Sequence, residues 1–107
     1  MAIMSGGEAV VRCLEEEGAR VVFGVLGSHL MPTYDALYDS PIKLITPRSE
    51  DGAGHMADAY TRVSQNPGVV LTTAGPGAAG VVCAMGEAYN ESWPVLHIST
   101  QILSEYV

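Results

Sequence analysis

The chain carries short runs of apolar residues, separated by segments in which apolar residues recur at helical spacing. These runs lie at residues 21–25, 42–45, 69–72 and 95–98. The first of them, residues 21–25, is continuous rather than alternating between apolar and polar positions, which is typical of a strand buried on both faces of a parallel sheet. The alternation of strands and helices predicts an α/β fold, a parallel sheet with helices on both faces.

Capping residues mark the helix ends. Ser5 and Glu8 have the spacing of a capping box, and Gly18 is placed to end the first helix in a left-handed conformation. Pro32 suits the first turn of a second helix, and Ser49 suits the N-cap of a third. A fourth helix, rich in alanine and glycine, is predicted after the third strand.

Glu50 lies where a ligand would bind in such a sheet. Pro47 ends the second strand and Ser49 starts the next helix, so Glu50 follows the carboxyl end of a strand directly. Ligands of open α/β sheets bind at that edge. A carboxylate in a first helical turn is also favoured by the helix dipole. Spacing alone therefore leaves a structural and a chemical role open.

Composition narrows the function classes. The net charge is -7 with five lysines and arginines, which argues against a surface for nucleic acid or for an anionic membrane. Residues 69–86 carry no charge, but Gly75, Pro76 and Gly77 favour a strand, a turn and a helix over a membrane span. Cys13 and Cys83 have no metal-binding spacing. We expect two reduced, buried thiols in a cytoplasmic protein, with no targeting segment.

The last predicted strand raises a question of its own. A sheet of four parallel strands leaves that strand at an edge, with unpaired backbone groups and exposed apolar side chains. We therefore expect this chain to be part of a larger unit, or to need a partner.

Residues 48–62 resemble the glutamate-bearing segment of the pyrimidine-binding (Pyr) domain of thiamine-diphosphate enzymes. That segment usually reads Arg-His-Glu-Gln-x-Ala-x-x-Met-Ala-x-x-Tyr-x-Arg. Ser49 and Asp51 replace the family's histidine and glutamine. The matching residues are Arg48, Glu50, Ala53, Met56, Ala57, Tyr60 and Arg62.

Three further segments resemble the same family, in the same order. Residues 23–28 and 32–37 are similar to the first strand, loop and helix of acetolactate-synthase-type enzymes, and Gly27-Ser28 with Pro32 is similar to the turn of benzoylformate decarboxylase. Residues 73–78 match the family's Ser/Thr-x-Gly-Pro-Gly turn, and residues 88–101 fit the run into its fourth strand. The resemblance implies the flavodoxin-like Pyr fold.

The resemblance implies roles for particular residues. Glu50 would hydrogen-bond N1′ of the thiamine aminopyrimidine and stabilise its imino tautomer, after which the thiazolium ylide attacks a 2-oxo acid. Gly75 and Pro76 would line the pyrimidine. Ser28 would lie near the substrate carboxylate, and His29 could donate a proton. As an alternative, both Ser28 and His29 are turn residues without a chemical role.

The resemblance also implies parts that these 107 residues do not carry. The diphosphate would be held through Mg²⁺ by a PP domain, whose Gly-Asp-Gly motif does not occur here. We expect residues 1–107 to be the front part of a Pyr domain, inactive alone. It would work in a homo-oligomer, a dimer or tetramer, or with a PP-domain subunit, in carboligation or decarboxylation of 2-oxo acids.

Other hypotheses remain open. Ser49 and Asp51 favour a non-catalytic binding or assembly module, whereas Glu50 and the intact turn at residues 75–77 favour the enzyme. A flavodoxin-like nucleotide or flavin module is disfavoured because the chain has no phosphate loop. His55 is predicted near the cofactor edge or at a subunit contact, and His97 as a hydrogen-bonded core histidine.

Overall fold

The computed structural model describes residues 3–102 and 104–106. Strands and helices alternate along the chain, as the hydrophobic pattern predicts. In order they are α1 (Gly6–Glu16), β1 (Val21–Gly24), a 3₁₀ turn (Ser28–Leu30), α2 (Met31–Tyr38), β2 (Lys43–Ile45), α3 (Glu50–Ser64), β3 (Gly68–Thr72), α4 (Pro76–Gly80), α5 (Val82–Asn90), β4 (Val95–Ser99) and a second 3₁₀ turn (Ser104–Tyr106).

The strands form one parallel sheet in the order β2-β1-β3-β4. The chain leaves β1 for β2 on one side, and then crosses back to β3 on the other side of β1. The direction of winding therefore changes between β1 and β3, and a ligand crevice in an α/β sheet opens at such a point. The predicted parallel α/β class is confirmed.

Helices cover both faces of the sheet, also as predicted. Val22 and Leu71 join the core that α1 and α2 build, whereas their neighbours Phe23 and Val70 join the core beneath α3. This division follows from the alternation of side chains along a strand. The strand β3 is buried along its whole length, which explains its uninterrupted apolar sequence.

The predicted helix ends are confirmed. Ser5 and Glu8 form the capping box through two hydrogen bonds, of 2.6 Å and 3.2 Å. Gly18 has φ +80 after the end of α1, and Ser49 Oγ accepts a hydrogen bond from the backbone N–H of Gly52 at 3.1 Å. These caps satisfy backbone groups that the helices leave unpaired.

The prediction of two buried thiols was wrong. Cys13 and Cys83 are both exposed. In α1 the buried side chains are Val11 and Leu14, because the helix is rotated so that Cys13 lies beside the buried stripe. A sequence with apolar residues at adjacent positions offers two overlapping stripes, and packing against the sheet chooses between them.

Two further details concern α3 and the predicted fourth helix. Met56 is 43% exposed, because the buried face of α3 runs through smaller residues that include Ala53 and Ala57. The fourth helix is divided into α4 and α5 at the buried Val81. Glycine lowers helix stability, and Gly80 directly precedes the break.

Two glycines bring α3 close to its neighbours. A Cβ built on Gly54 would lie 2.5 Å from the Cβ of Ala84 in α5. A Cβ built on Gly68, the first residue of β3, would overlap the backbone carbonyl of Ala57. Because neither glycine has a side chain, α3 packs tightly against both α5 and the sheet.

The exposed sheet edge is present as expected. β4 pairs with β3 alone among the strands of the described residues. Leu96 in β4 is 46% exposed, and with Ile98 and Leu14 it borders an apolar groove between β4 and α1. Within the described residues, no helix is long and apolar enough to cross a membrane.

Candidate functional site

The loops after β1 and β3 meet at the carboxyl edge of the sheet. A Cβ built on Gly27, in the loop after β1, would lie 2.7 Å from the Cβ of Thr73, which follows β3. These loops flank the point at which the winding of the sheet changes direction. The predicted ligand edge is therefore built from residues of both sides of the switch point.

Glu50 is the first residue of α3 and is half-buried at this edge. Its side chain points along α4: a Cβ on Gly77 would lie 3.6 Å from Oε1 of Glu50, and a Cβ on Gly80 would lie 3.2 Å from its Cβ. Among the described residues, no group donates a hydrogen bond to this carboxylate. An acceptor that is half-buried and unpaired is available to a ligand that carries a donor.

The turn before α4 presents its backbone. Gly75 has φ +66 and ψ -118, a conformation that a residue with a side chain adopts only under strain. Pro76 follows in the first turn of α4, where its fixed φ suits the helix. Both residues are exposed, whereas Gly77 is buried beside Glu50. The turn thus brings an open backbone surface next to a carboxylate.

Tyr34 is a residue of this site that the sequence did not reveal. Its side chain is buried, at 7% exposure, and its hydroxyl donates a hydrogen bond to the carbonyl of Val25 at 3.1 Å. Burial raises the pKa of Tyr34 to about 12, and the negative charge of Glu50 adds to the rise. The only available signal was that a tyrosine on a core-facing helix needs a partner for its hydroxyl.

Ser28 and His29 lie at the same edge, in the exposed 3₁₀ turn after β1. His29 Nδ1 is 3.4 Å from Thr73 Oγ1. Thr73 in turn limits the space at Gly77, since a Cβ there would lie 2.9 Å from Thr73 Cγ2. The structure therefore connects His29 to the surroundings of Glu50 through Thr73.

The other two histidines lie in different surroundings. His97 Nε2 is 2.7 Å from Thr72 Oγ1, and partial burial in β4 lowers the pKa of His97. The prediction that His97 is hydrogen-bonded is confirmed, although its ring is only half-buried. His55 is exposed on α3. Its predicted place at a cofactor edge or a subunit contact stays a prediction.

Residues 4–107 match the family model described as "Thiamine pyrophosphate enzyme, N-terminal TPP binding domain". The chain belongs to the thiamine pyrophosphate (TPP) enzyme family. Thiamine pyrophosphate is the same compound as thiamine diphosphate, so the resemblance predicted from residues 48–62 is confirmed. The polar groups at the edge fit part of this cofactor, since an unpaired carboxylate can accept a hydrogen bond from a protonated ring nitrogen.

Curated relatives within the TPP family indicate which kinds of enzyme this chain is similar to. The chain is 40% identical, over 97% of its length, to a probable acetolactate synthase large subunit of Methanocaldococcus jannaschii, of which it covers 18%. It is 41% identical over 92% of its length to an acetolactate synthase large subunit of Corynebacterium glutamicum, covering 16% of that protein. It is 44% identical over 91% of its length to a probable 2-ketoarginine decarboxylase of Pseudomonas aeruginosa, covering 17%.

These matches identify a TPP-dependent Pyr domain of the acetolactate synthase type. The chain spans less than a fifth of the length of the curated relatives that it matches. Relatives named as a synthase and as a decarboxylase match this domain about equally well. The domain alone therefore does not distinguish between the two reactions.

Proposed function

We propose that residues 1–107 are the front part of the Pyr domain of a TPP-dependent enzyme that acts on 2-oxo acids, and that Glu50 activates the cofactor. One observation carries this proposal: the half-buried, unpaired carboxylate of Glu50 lies beside Gly77, at the ligand edge of the sheet. The family match supplies the cofactor that such a carboxylate would meet.

Each residue then has a defined task. Glu50 would hold a proton between its carboxylate and N1′ of the aminopyrimidine. Gly75 and Pro76 would border the flat ring with their open backbone surface. Tyr34 stays protonated and holds the carbonyl of Val25, which fixes the start of the loop after β1. The bound cofactor would supply the electron sink for the carbanion chemistry.

Ser28 and His29 are the proposed substrate residues. Both lie in the loop after β1, which meets the loop after β3 at the carboxyl edge of the sheet. A hydroxyl and an imidazole can hydrogen-bond a carboxylate, and an imidazole can transfer a proton near neutral pH. Their exposed position at the ligand edge supports this role.

The proposal also includes the parts of the catalytic unit that lie outside residues 1–107. A PP domain, on another subunit or another chain, would hold the diphosphate through Mg²⁺. The active unit would be a homo-oligomer or a complex with a PP-domain subunit, located in the cytoplasm, and the 107 residues alone would be inactive. The greater length of the relatives supports this division of tasks.

The second candidate is a non-catalytic binding or assembly module with the same fold. One observation favours it: Ser49, in place of the family's usual histidine, is used as the helix N-cap. In that case Glu50 would only stabilise the start of α3 through the helix dipole.

A Glu50→Gln substitution in the full-length protein separates the two candidates. Glutamine has nearly the same shape but cannot take up and release the proton, so we expect turnover of pyruvate or another 2-oxo acid to fall by about 10²–10⁴-fold, with TPP and Mg²⁺ present. Glu8→Gln is the matched control, since Glu8 is also an acid in the first turn of a helix. Unchanged turnover in Glu50→Gln would leave Glu50 as a helix-start acid only.

A further inference from the structure

Asp51, His55 and Cys83 form a cluster on the outer surface of the α3–α5 pair. A carboxylate oxygen, an imidazole nitrogen and the thiol sulfur all lie within 4.8 Å of one another. Asp51 and His55 are one helical turn apart on α3, so their side chains share a face, and α5 supplies Cys83. All three residues are exposed, so the cluster is open to solvent.

The close approach of the two helices holds these side chains together. Gly54 precedes His55 and Ala84 follows Cys83, and α3 and α5 lie close together between Gly54 and Ala84. A Cβ at Gly54 would lie 2.5 Å from the Cβ of Ala84. Because a larger residue would push the helices apart, this packing fixes the backbone positions of both neighbouring ligands.

The separations suit a tetrahedral metal ion. His55 Nε2 and Asp51 Oδ1 are 3.5 Å apart. Metal–nitrogen and metal–oxygen bonds of Zn²⁺ are about 2.0–2.2 Å long, which places two such ligands roughly 3.4 Å apart around a tetrahedral ion. The sulfur needs to approach by roughly 1.2 Å at most to complete tetrahedral ligation, a shift that rotations of exposed side chains provide.

We propose that Asp51, His55 and Cys83 bind a divalent cation of the Zn²⁺ class, with a fourth position open to water or another ligand. A thiolate and an imidazole select such a metal over Mg²⁺, which prefers oxygen ligands. This site is therefore different from the Mg²⁺ site expected on a PP domain. On binding, the S–H bond of Cys83 breaks, its proton passes to solvent, and a metal–sulfur bond forms without any change of oxidation state.

Co²⁺ is the probe that tests this site in the full-length protein, freed of metal with a chelator. Thiolate ligation of Co²⁺ gives a near-ultraviolet charge-transfer band, which ligation by oxygen and nitrogen alone does not give. We expect one band per chain that Zn²⁺ removes by displacement. Cys83→Ser should abolish the band, and His55→Gln should weaken Co²⁺ binding by about 10-fold or more.

Cys13→Ser is the matched control, because Cys13 is the other exposed cysteine of the described chain and lies outside the cluster. It should leave the band and its Zn²⁺ displacement unchanged. Absence of the band in the unmodified protein, or its persistence in Cys83→Ser, would overturn the proposal. The readout is independent of turnover, so it stands or fails separately from the role of Glu50.

Discussion

Oε1 of Glu50 lies 3.6 Å from the point that a Cβ on Gly77 would occupy. The same Cβ would lie 2.9 Å from Cγ2 of Thr73, too close for two carbon atoms that are not bonded. Gly77 therefore leaves space for Thr73, the residue that contacts His29, whereas its distance to the proposed catalytic carboxylate is an ordinary van der Waals contact. The absence of a side chain at position 77 lets Thr73 lie close to α4, beside Glu50.

Gly77→Ala is expected to disturb the site. The added methyl group displaces Thr73 beside Glu50, so we expect weaker TPP binding and a free energy of unfolding lower by about 1–3 kcal/mol, as for overpacked cores. Isothermal titration with TPP and Mg²⁺ measures the first effect, and chemical denaturation the second.

Gly86→Ala is the control for that substitution. Gly86 lies in α5 and a Cβ there would meet nothing within 4 Å. Alanine favours the helix, so we expect this variant to gain about 0.5–1 kcal/mol with unchanged TPP affinity. Equal TPP affinity in both variants would contradict the assigned place of Gly77.

Gly75→Ala tests the backbone of the turn. Nothing lies within 4 Å of the added Cβ, so the cost comes only from φ +66 and should be roughly 1–3 kcal/mol. We expect the turn to shift away from its positive-φ conformation and the affinity for TPP to fall. Gly18→Ala is the control, since Gly18 also has a positive φ with open space but lies outside the site. Both variants should lose stability by thermal denaturation, and only Gly75→Ala should lose affinity.

Tyr34→Phe tests the buried hydroxyl. It removes the hydrogen bond to Val25, so the free energy of unfolding should fall by about 1 kcal/mol at neutral pH. The unfolded tyrosine ionises near pH 10 and the folded one near pH 12, so this residue's contribution to stability is complete below pH 10 and is lost between these values. Tyr34→Phe should flatten that decline, whereas Tyr38→Phe, at an 88% exposed residue, should not.

The burial of His97 leads us to expect a second pH dependence of stability, at lower pH. Burial lowers its pKa below the ordinary 6.5, so between the two values the unfolded chain binds more protons than the folded chain. The contribution of His97 to the free energy of unfolding is therefore present above about pH 6.5, and it falls as the pH decreases towards the pKa of His97 in the folded chain. His97→Gln should remove it in denaturation curves measured at a series of pH values. Parallel pH profiles for the two proteins would contradict this assignment.

Sequence reasoning succeeded where local interactions decide. Ser5 with Glu8, Gly18 and Ser49 were predicted as caps because each satisfies backbone groups within a few residues of itself. The edge position of Glu50 also followed from the sequence, since all parallel strands end at one side of their sheet. The chemical roles of Glu50 and Gly75 stay predictions.

Features that depend on packing were not predictable in the same way. The buried stripe of α1 could run through Cys13 or through Val11, and only contact with the sheet selected Val11. The influence of Glu50 on Tyr34 depends on how α2 and α3 lie at one edge. The cluster around Cys83 depends on the approach of α5 to α3, which joins residues distant in the chain.

The tight seat of α3 on Gly68 has a consequence for engineering. Gly68 lies at the amino end of β3, opposite to the site, and touches α3 at Ala57. Ala57 is two turns along the helix from Glu50, roughly 10 Å at 1.5 Å per residue. A side chain added at position 68 would push α3 away from the sheet at Ala57. Because the helix is continuous from Glu50 to Ser64, this shift would also move Glu50. Gly68 thus helps to set the position of the Glu50 carboxylate through the packing of α3, without contacting it.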